Sequence, residues 1–356
     1  MKRSAEHLIR PEILDMPAYH VADAAGYIKL DAMENPFRLP EALRNELGRR
    51  LSDVLINRYP DPSGSGLKAQ LAEAFGIPPE AEVLLGNGSD EIITLICQAL
   101  ARPGACLMAF EPSFVMYRLN AQFSRVGYVG IPLNEDFSLD LPRTLDAIRQ
   151  HQPAVIFISY PNNPTGNRFA RADIERILEA ATGLVVLDEA YQAFADDSFM
   201  ALAGKLEHLL VMRTLSKIGL AGIRLGYAAS TPAWIEAINK VRPPYNVNVL
   251  TQETARFLLA HREVFDGQAR DLRRERARMA ERLAHFAGLQ AFDSQANFIT
   301  VRVADADELH GFLKQAGLLV KNLHGSHPLL AQCLRITIGA PEENDAVLAA
   351  LTAYFE

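Results

Sequence analysis

Six short apolar runs organise the middle of the chain: Cys106–Phe110, Tyr128–Pro132, Ala154–Tyr160, Leu184–Leu187, Leu209–Met212 and Leu225–Ala229. Amphipathic helical patterns fall between several of them, at 113–124, 142–150 and 169–181. Runs this short and this apolar read as strands buried on both faces, and the intervening helices supply the covering layers. The pattern predicts an α/β fold around a mostly parallel central sheet. In such sheets, ligands gather beyond the carboxyl ends of the strands. The most distinctive polar loops all follow strands: Glu111-Pro112-Ser113-Phe114, the segment 161–166, Asp188-Glu189-Ala190-Tyr191, and the segment 213–224.

Flanking segments complete the layout. A short strand is predicted at 27–30, a helix over 40–54, and an irregular Pro/Gly/Ser-rich loop over 57–66. The strand Val83–Leu85 runs into Gly86-Asn87-Gly88-Ser89-Asp90-Glu91, which opens a helix over 92–101, with Ser89 or Asp90 suited to cap it. Beyond residue 247 the texture changes. A helix at 248–263 and a charged helix at 264–287 precede strands at 290–292, 297–303, 318–321 and 333–338. A helix at 305–316 and a final one from Pro341 complete a small α+β unit. The 356 residues accommodate two domains. We expect an N-terminal arm with part of the small domain (1–40), a large domain (41–250) and a small C-terminal domain (251–356).

Composition excludes several function classes. Lys and Arg number 36 against 43 Asp and Glu, a net charge of -7, which argues against a nucleic-acid or anionic-membrane surface as main partner. The cysteines Cys97, Cys106 and Cys333 are odd in number and widely spaced, so free thiols in a reducing compartment are expected, with no metal site. The first residues lack an apolar signal core and no run approaches a membrane span. A cytoplasmic location is expected.

The segment 213–224 holds Thr214, Ser216, Lys217 and Arg224. A lysine amine forms a Schiff base with a carbonyl cofactor, and hydroxyls with an arginine suit a phosphate. Free backbone N–H groups at the helix start near Ser89 and Asp90 make a second phosphate contact. Asp188 closes an apolar run, so its carboxylate needs a partner, which a pyridinium nitrogen or a core arginine could supply. Tyr191 and Asn163 offer polar contacts to a cofactor oxygen, and Phe114 a flat ring. Each has an ordinary alternative: a solvated loop, a structural glycine turn, plain core packing, or, for Tyr59, an exposed loop tyrosine. Their joint order along one chain separates the readings.

That order resembles the fold-type I pyridoxal-phosphate aminotransferases, and within them the histidinol-phosphate aminotransferase group. The resemblance runs over nearly the full chain, through the segments 30–36, 57–61, 86–91, 161–166, 187–191, 213–217 and 333–339. It implies pyridoxal 5'-phosphate bound through Lys217, with Asp188 on the ring nitrogen. Tyr191 and Asn163 would meet the ring's phenolic oxygen, and Phe114 would stack where the group more often has tyrosine. The phosphate would be held by Ser89, Asp90, Thr214, Ser216 and Arg224. Arg224 follows Lys217 by one residue fewer than in many relatives, implying a tight turn. Tyr59 would reach the neighbouring subunit's site, implying a homodimer with shared active sites.

For the substrate, the resemblance points to Arg335, Lys321, Tyr19 and Asn35. Lys321 stands where a second arginine is common, keeping the charge but not the fork. The implied reaction is transamination between L-histidinol phosphate and 2-oxoglutarate, giving imidazole-acetol phosphate and L-glutamate. Alternatives on the same fold are an aromatic-amino-acid aminotransferase and a phosphothreonine decarboxylase. A non-catalytic regulator would carry a DNA-binding segment ahead of this pattern, which begins within about twenty residues of Met1, and Lys217 argues against one.

Overall fold

The apolar runs form strands, and their alternate residues sort into two cores. In the computed structural model, which describes residues 4–18 and 21–356, Val155, Phe157, Leu184, Val186, Leu210 and Met212 pack into one cluster. Their neighbours Ile156, Ile158, Val185, Leu187, Leu209 and Val211 pack into another. This is the two-residue period of a strand whose sheet is covered on both faces. Each such side chain contributes about 1.5–3 kcal/mol of burial, so the strands cannot slip register without exposing a whole row.

In chain order the strands are β1 (Ile28–Leu30), β2 (Glu82–Gly86), β3 (Cys106–Glu111), β4 (Gly127–Pro132), β5 (Val155–Ser159) and β6 (Leu184–Asp188). They continue with β7 (Leu209–Thr214), β8 (Gly226–Ser230), β9 (Gln290–Ala291), β10 (Phe298–Arg302), β11 (Leu318–Asn322) and β12 (Cys333–Thr337). The large sheet has the order β2-β8-β7-β6-β5-β3-β4. It is parallel except for β8, which runs antiparallel to both β7 and β2. The connection from β7 to β8 is too short for a parallel crossover, so the chain turns straight back. Lys217 lies in that return. The register sets Ser159 beside Asp188 and Asp188 beside Met212, which gathers three polar loops at one sheet edge.

A second sheet, β1-β11-β12-β10-β9, is covered by the helices Arg262–Leu283, Ala306–Gln315 and Pro341–Phe355. Its edge strand β1 comes from the N-terminal segment and pairs in parallel with β11. Residues 31–35 therefore leave the second sheet directly above the carboxyl ends of the first.

Three local expectations are corrected. The irregular loop ends at Gly64, in the left-handed region at φ 58°, and a helix Ser65–Phe75 follows. Its buried Leu67 and Leu71 are four apart, a helical signal that the Pro/Gly/Ser-rich stretch masked. The two late helices, Val249–Leu259 and Arg262–Leu283, break at Ala260-His261 and not after residue 263, because His261 leaves helical geometry. The helix Ser89–Leu100 is capped by neither Ser89 nor Asp90. Gly88 occupies the cap, and Ser89 and Asp90 lie in the first turn.

One buried ion pair ties the ends of β6 and β7. Arg213 donates from Nη2 to Glu189 Oε2 at 2.8 Å and from Nε at 3.0 Å. Glu189 also accepts from the Phe199 N–H at 2.6 Å and the Ser198 hydroxyl at 2.8 Å. Removing one partner strands the other charge in the core. Arg213→Met is expected to cost about 3–5 kcal/mol in urea unfolding. The double change Arg213→Met/Glu189→Met should recover most of that loss.

Candidate active site

A cavity of about 110 Å³ opens where the parallel strands end, and it collects residues from six separate stretches. Its floor is the turn from β2 into the helix Ser89–Leu100. Gly88 has φ 83°, and a Cβ there would lie 2.5 Å from Arg224 Nη2. A Cβ on Gly226 would lie 2.5 Å from the Ser89 nitrogen. Two glycines thus let a helix N-terminus, the start of β8 and a guanidinium approach one point. The unpaired N–H groups of the first helical turn and the helix dipole favour an anion there.

Around that point Thr214 Oγ1 donates to Ser216 Oγ at 2.9 Å, and Arg224 donates to Ser216 Oγ and Asp90 Oδ2, each at 3.3 Å. Arg224 has φ 51°, a left-handed conformation uncommon for a residue with a side chain. It is how the short return from Lys217 is accommodated: a π-turn over Ser216–Leu220, with Gly219 at φ 121°, and a 3-10 turn over Ala221–Ile223. Single π-turns of this kind accumulate at functional sites.

Lys217 points into the cavity and donates to the Ala32 carbonyl at 3.2 Å. Burial pushes its amine down to about 8, Arg335 adds to the effect, and Asp90 and Glu34 oppose it. The neutral amine is therefore accessible near physiological pH. Asn35 fastens the lysine turn from outside: its Nδ2 donates to the Ile218 carbonyl at 3.1 Å and to Gln268 Oε1 at 3.0 Å. Its Oδ1 accepts from the Phe37 N–H at 2.8 Å.

Across the cavity lies Asp188, 3% exposed. Among the described residues no arginine pairs with it; the neighbouring Arg213 is committed to Glu189. Burial pushes its carboxyl up to about 6, while hydrogen bonds from the Tyr117 hydroxyl and the Ala190 N–H pull the other way. Phe114 and Tyr191 form walls, with Tyr191 edge-on to Phe298 at 5.3 Å. Asn162 locks two loops together, accepting from the Ser113 hydroxyl at 2.7 Å and donating to the Pro112 carbonyl at 3.0 Å and to Thr165 Oγ1 at 2.7 Å. That network fixes Phe114 and Asn163. Asn163 Oδ1 in turn accepts from Arg335 Nη1 at 2.5 Å.

The cavity thus brings together Ser89, Asp90, Phe114, Asn163, Asp188, Tyr191, Thr214, Ser216, Lys217 and Arg224. Arg335 adjoins through Asn163 and also donates to the Asp31 carbonyl at 2.8 Å. Lys321 lies opposite Arg335 in register, with its side chain exposed and outside the lining. Tyr59 is 80% exposed, stacked on Tyr245, and not part of its own chain's cavity. Tyr19 lies outside the described residues. Met33, Ser159 and Ala190 line the cavity without being sequence candidates, although Met33 and Ala190 lie within segments that carry the resemblance, and Tyr117 touches Asp188. Tyr117 had one available signal: it lies three residues after Phe114 within the helix predicted over 113–124.

The chain matches the family of class I and II aminotransferases over residues 25–351. The chain belongs to that family. It is 62% identical over 355 residues to a histidinol-phosphate aminotransferase of Chromobacterium violaceum, covering 100% of both chains. It is 54% identical to histidinol-phosphate aminotransferase 2 of Cupriavidus pinatubonensis, covering 98% of this chain and 96% of that one. Among solved structures, histidinol-phosphate aminotransferase from Sinorhizobium meliloti, in complex with pyridoxal-5'-phosphate, superposes with a TM-score of 0.86 at 24% identity. That match covers 100% of this chain and 98% of the other.

The buried carboxylate carries a stability signature. Asp188 folds with its carboxyl at about 6 against an ordinary 3.8. Between those values the folded chain keeps a proton that the unfolded chain releases, so stability falls as pH rises through this window. Above it the full cost remains, about 3 kcal/mol. Asp188→Asn in the cofactor-free protein is expected to unfold at higher urea at pH 7.5, by about 2–3 kcal/mol. The gain should vanish near pH 4.

Proposed function

We propose that the chain catalyses transamination between L-histidinol phosphate and 2-oxoglutarate, giving imidazole-acetol phosphate and L-glutamate, with pyridoxal 5'-phosphate as cofactor. The observation that carries this is one cavity holding three complementary features. They are a lysine amine shifted to about 8, a buried carboxylate without a cation, and a glycine-gated anion cradle. Pyridoxal phosphate supplies the missing partner of each: an aldehyde, a protonatable ring nitrogen and a phosphate. The full-length similarity to histidinol-phosphate aminotransferases supports the same substrate.

When bound, the cofactor takes up the substrate's amino group and withdraws electrons through its protonated ring. The residues do the rest. The N–H groups of Ser89 and Asp90, with Thr214, Ser216 and Arg224, would hold the phosphate. Asp188 holds the proton of the ring nitrogen, and its own burial makes that cation welcome. Tyr191 and Asn163 meet the phenolic oxygen, and Phe114 covers the ring face. Lys217 Nζ, in its unprotonated form, would remove the proton from the substrate α-carbon and, as the conjugate acid, hold it for redelivery. Asn35 keeps the lysine turn in place for both transfers.

Arg335 binds the substrate's anionic end. Its guanidinium is oriented by Asn163, by the Asp31 carbonyl and by the ring of Phe298, 5.2 Å away. A pre-oriented fork accepts the phosphate of histidinol phosphate and the carboxylate of glutamate equally. Lys321 adds positive charge opposite Arg335, and the resemblance assigns Tyr19 to the substrate. A homodimer with shared sites would account for Tyr59, and for the exposed apolar side chains of Leu55 and Ile56 beside it in the chain, which a second copy would cover. We read residues 1–40 as arm and part of the small domain, 41–250 as the large domain and 251–356 as the small domain. The three unpaired cysteines fit a reducing, cytoplasmic setting.

Three experiments test this reading. Turnover of histidinol phosphate, phenylalanine and phosphothreonine is compared directly, and the first should lead in kcat/KM by at least about tenfold; a lead for either of the others replaces the assignment. Arg335→Ala should weaken histidinol phosphate by about 30-fold to 1,000-fold in kcat/KM. Separately, borohydride reduction of the holoenzyme followed by peptide mapping should place the cofactor on Lys217, and labelling of a different lysine rejects the site.

A further inference from the structure

Asp188 is held by a residue that no motif marks. Tyr117, on the helix Met116–Phe123, is 1% exposed, and its hydroxyl donates to Asp188 Oδ2 at 2.8 Å. Its ring stacks on Phe157 at 4.8 Å, with planes 19° apart. The same ring meets Phe114 edge-on at 5.7 Å. One side chain therefore touches both the residue assigned to the edge of the cofactor ring and the residue assigned to its face.

We propose that Tyr117 is a positioning residue of the transamination, which holds the Asp188 carboxylate aimed at the cofactor's ring nitrogen and sets how firmly that nitrogen keeps its proton. The proposal rests on the cofactor reading above. Its geometry is specific. Asp188 Oδ1 accepts from the Ala190 N–H at 3.1 Å while Oδ2 accepts from Tyr117. With a donor on each oxygen the carboxylate cannot rotate without breaking both bonds, yet each oxygen keeps a lone pair for a third donor. Ala190 contributes backbone and cannot be tuned by side-chain choice; Tyr117 can.

The charged groups around Asp188 leave this role open to Tyr117. Asp90 faces it from the helix Ser89–Leu100 and Glu189 follows it in the chain, and both disfavour its ionisation. Glu189 is met by Arg213 and Asp90 by Arg224. Tyr191 and the Ser159 hydroxyl lie close to Tyr117. The phenol O–H stabilises the ionised carboxylate. Without it Asp188 becomes more basic and competes for the proton it should leave on the ring.

Tyr117→Phe tests this, because the ring and its stacking remain. In the cofactor-free protein, carbon-13 NMR of labelled Asp188 should show its titration moving up by about one pH unit. In the holoenzyme, the nitrogen-15 resonance of ring-labelled cofactor should shift toward neutral pyridine. There kcat for histidinol phosphate should fall about tenfold, with KM changing less than about twofold. An unchanged carbon-13 titration together with an unchanged nitrogen-15 resonance overturns the proposal even if activity drops, since loss of packing moves neither. If the phenylalanine variant does not fold, 3-fluorotyrosine at position 117, a stronger donor, should move the Asp188 titration down; no movement likewise overturns it. The titration needs no cofactor, so its failure is distinct from a wild-type chain that takes up no pyridoxal phosphate.

Discussion

A carboxylate without a cation, buried at the end of a central strand, is the constraint on which the rest of the site depends. Asp188 is driven there by the register of β6 between β5 and β7, and that register is set by rows of Val, Leu and Ile that cannot be exposed. A charge placed so deep costs stability in the empty protein. The fold does not relieve the cost with Arg213, although that arginine stands on the adjacent strand. It directs Arg213 to Glu189 and leaves Asp188 waiting for a ligand cation. The free energy withheld from folding is thereby available to binding, the usual relation between strained sites and function.

The same separation of charges governs the lysine. Lys217 and Arg224 leave β7 on one short return, and both are cationic, so an undirected arrangement would place like charges together. The π-turn and the left-handed Arg224 point the two in different directions: Arg224 toward the helix N-terminus and Asp90, Lys217 toward the Ala32 carbonyl. The amine then sits in a setting where burial and Arg335 hold it near neutrality. The proposed nucleophile and the proposed anion clamp thus come from one segment but face different surroundings.

Much of this was legible in the sequence because it follows local rules. Apolar runs marked the strands of the large sheet, and the polar loops behind them marked the cavity. The joint order of Asn163, Asp188, Tyr191, Lys217 and Arg224 identified the chemistry. What escaped depends on tertiary closeness. Tyr117 reaches Asp188 across 71 residues of chain, and a tyrosine in an amphipathic helix reads as core. Met33 enters the cavity because its backbone is left-handed, at φ 54°, and is pinned by Thr337 Oγ1 and Asn297 Nδ2. No local propensity predicts that. The helix Ser65–Phe75 was hidden by its own Pro- and Gly-rich approach, where turn chemistry outweighs a two-leucine signal. The reversed β8 follows from loop length, which a list of strands does not weigh.

The N-terminal segment gives the arrangement its unity. Residues 31–35 are bound to the second sheet and its covering helix: Arg335 holds the Asp31 carbonyl, Thr337 and Asn297 hold the Met33 backbone, and Gln268 on the helix Arg262–Leu283 meets the Asn35 amide. On its other side the segment receives Lys217 at Ala32, and Asn35 holds the Ile218 carbonyl. The guanidinium proposed to bind the substrate anion is thus two hydrogen-bonded steps from the Lys217 amine, through Asp31 and Ala32. It is one step from Asn163, on the other side of the cofactor position. A shift of Arg335 on meeting an anion must move at least one of these contacts, because side chains in a close-packed interior have little free travel. Arg335 and Lys217 are therefore linked through one short stretch of backbone. The link is firm because that stretch continues the second sheet's edge strand, which pairs in parallel with β11.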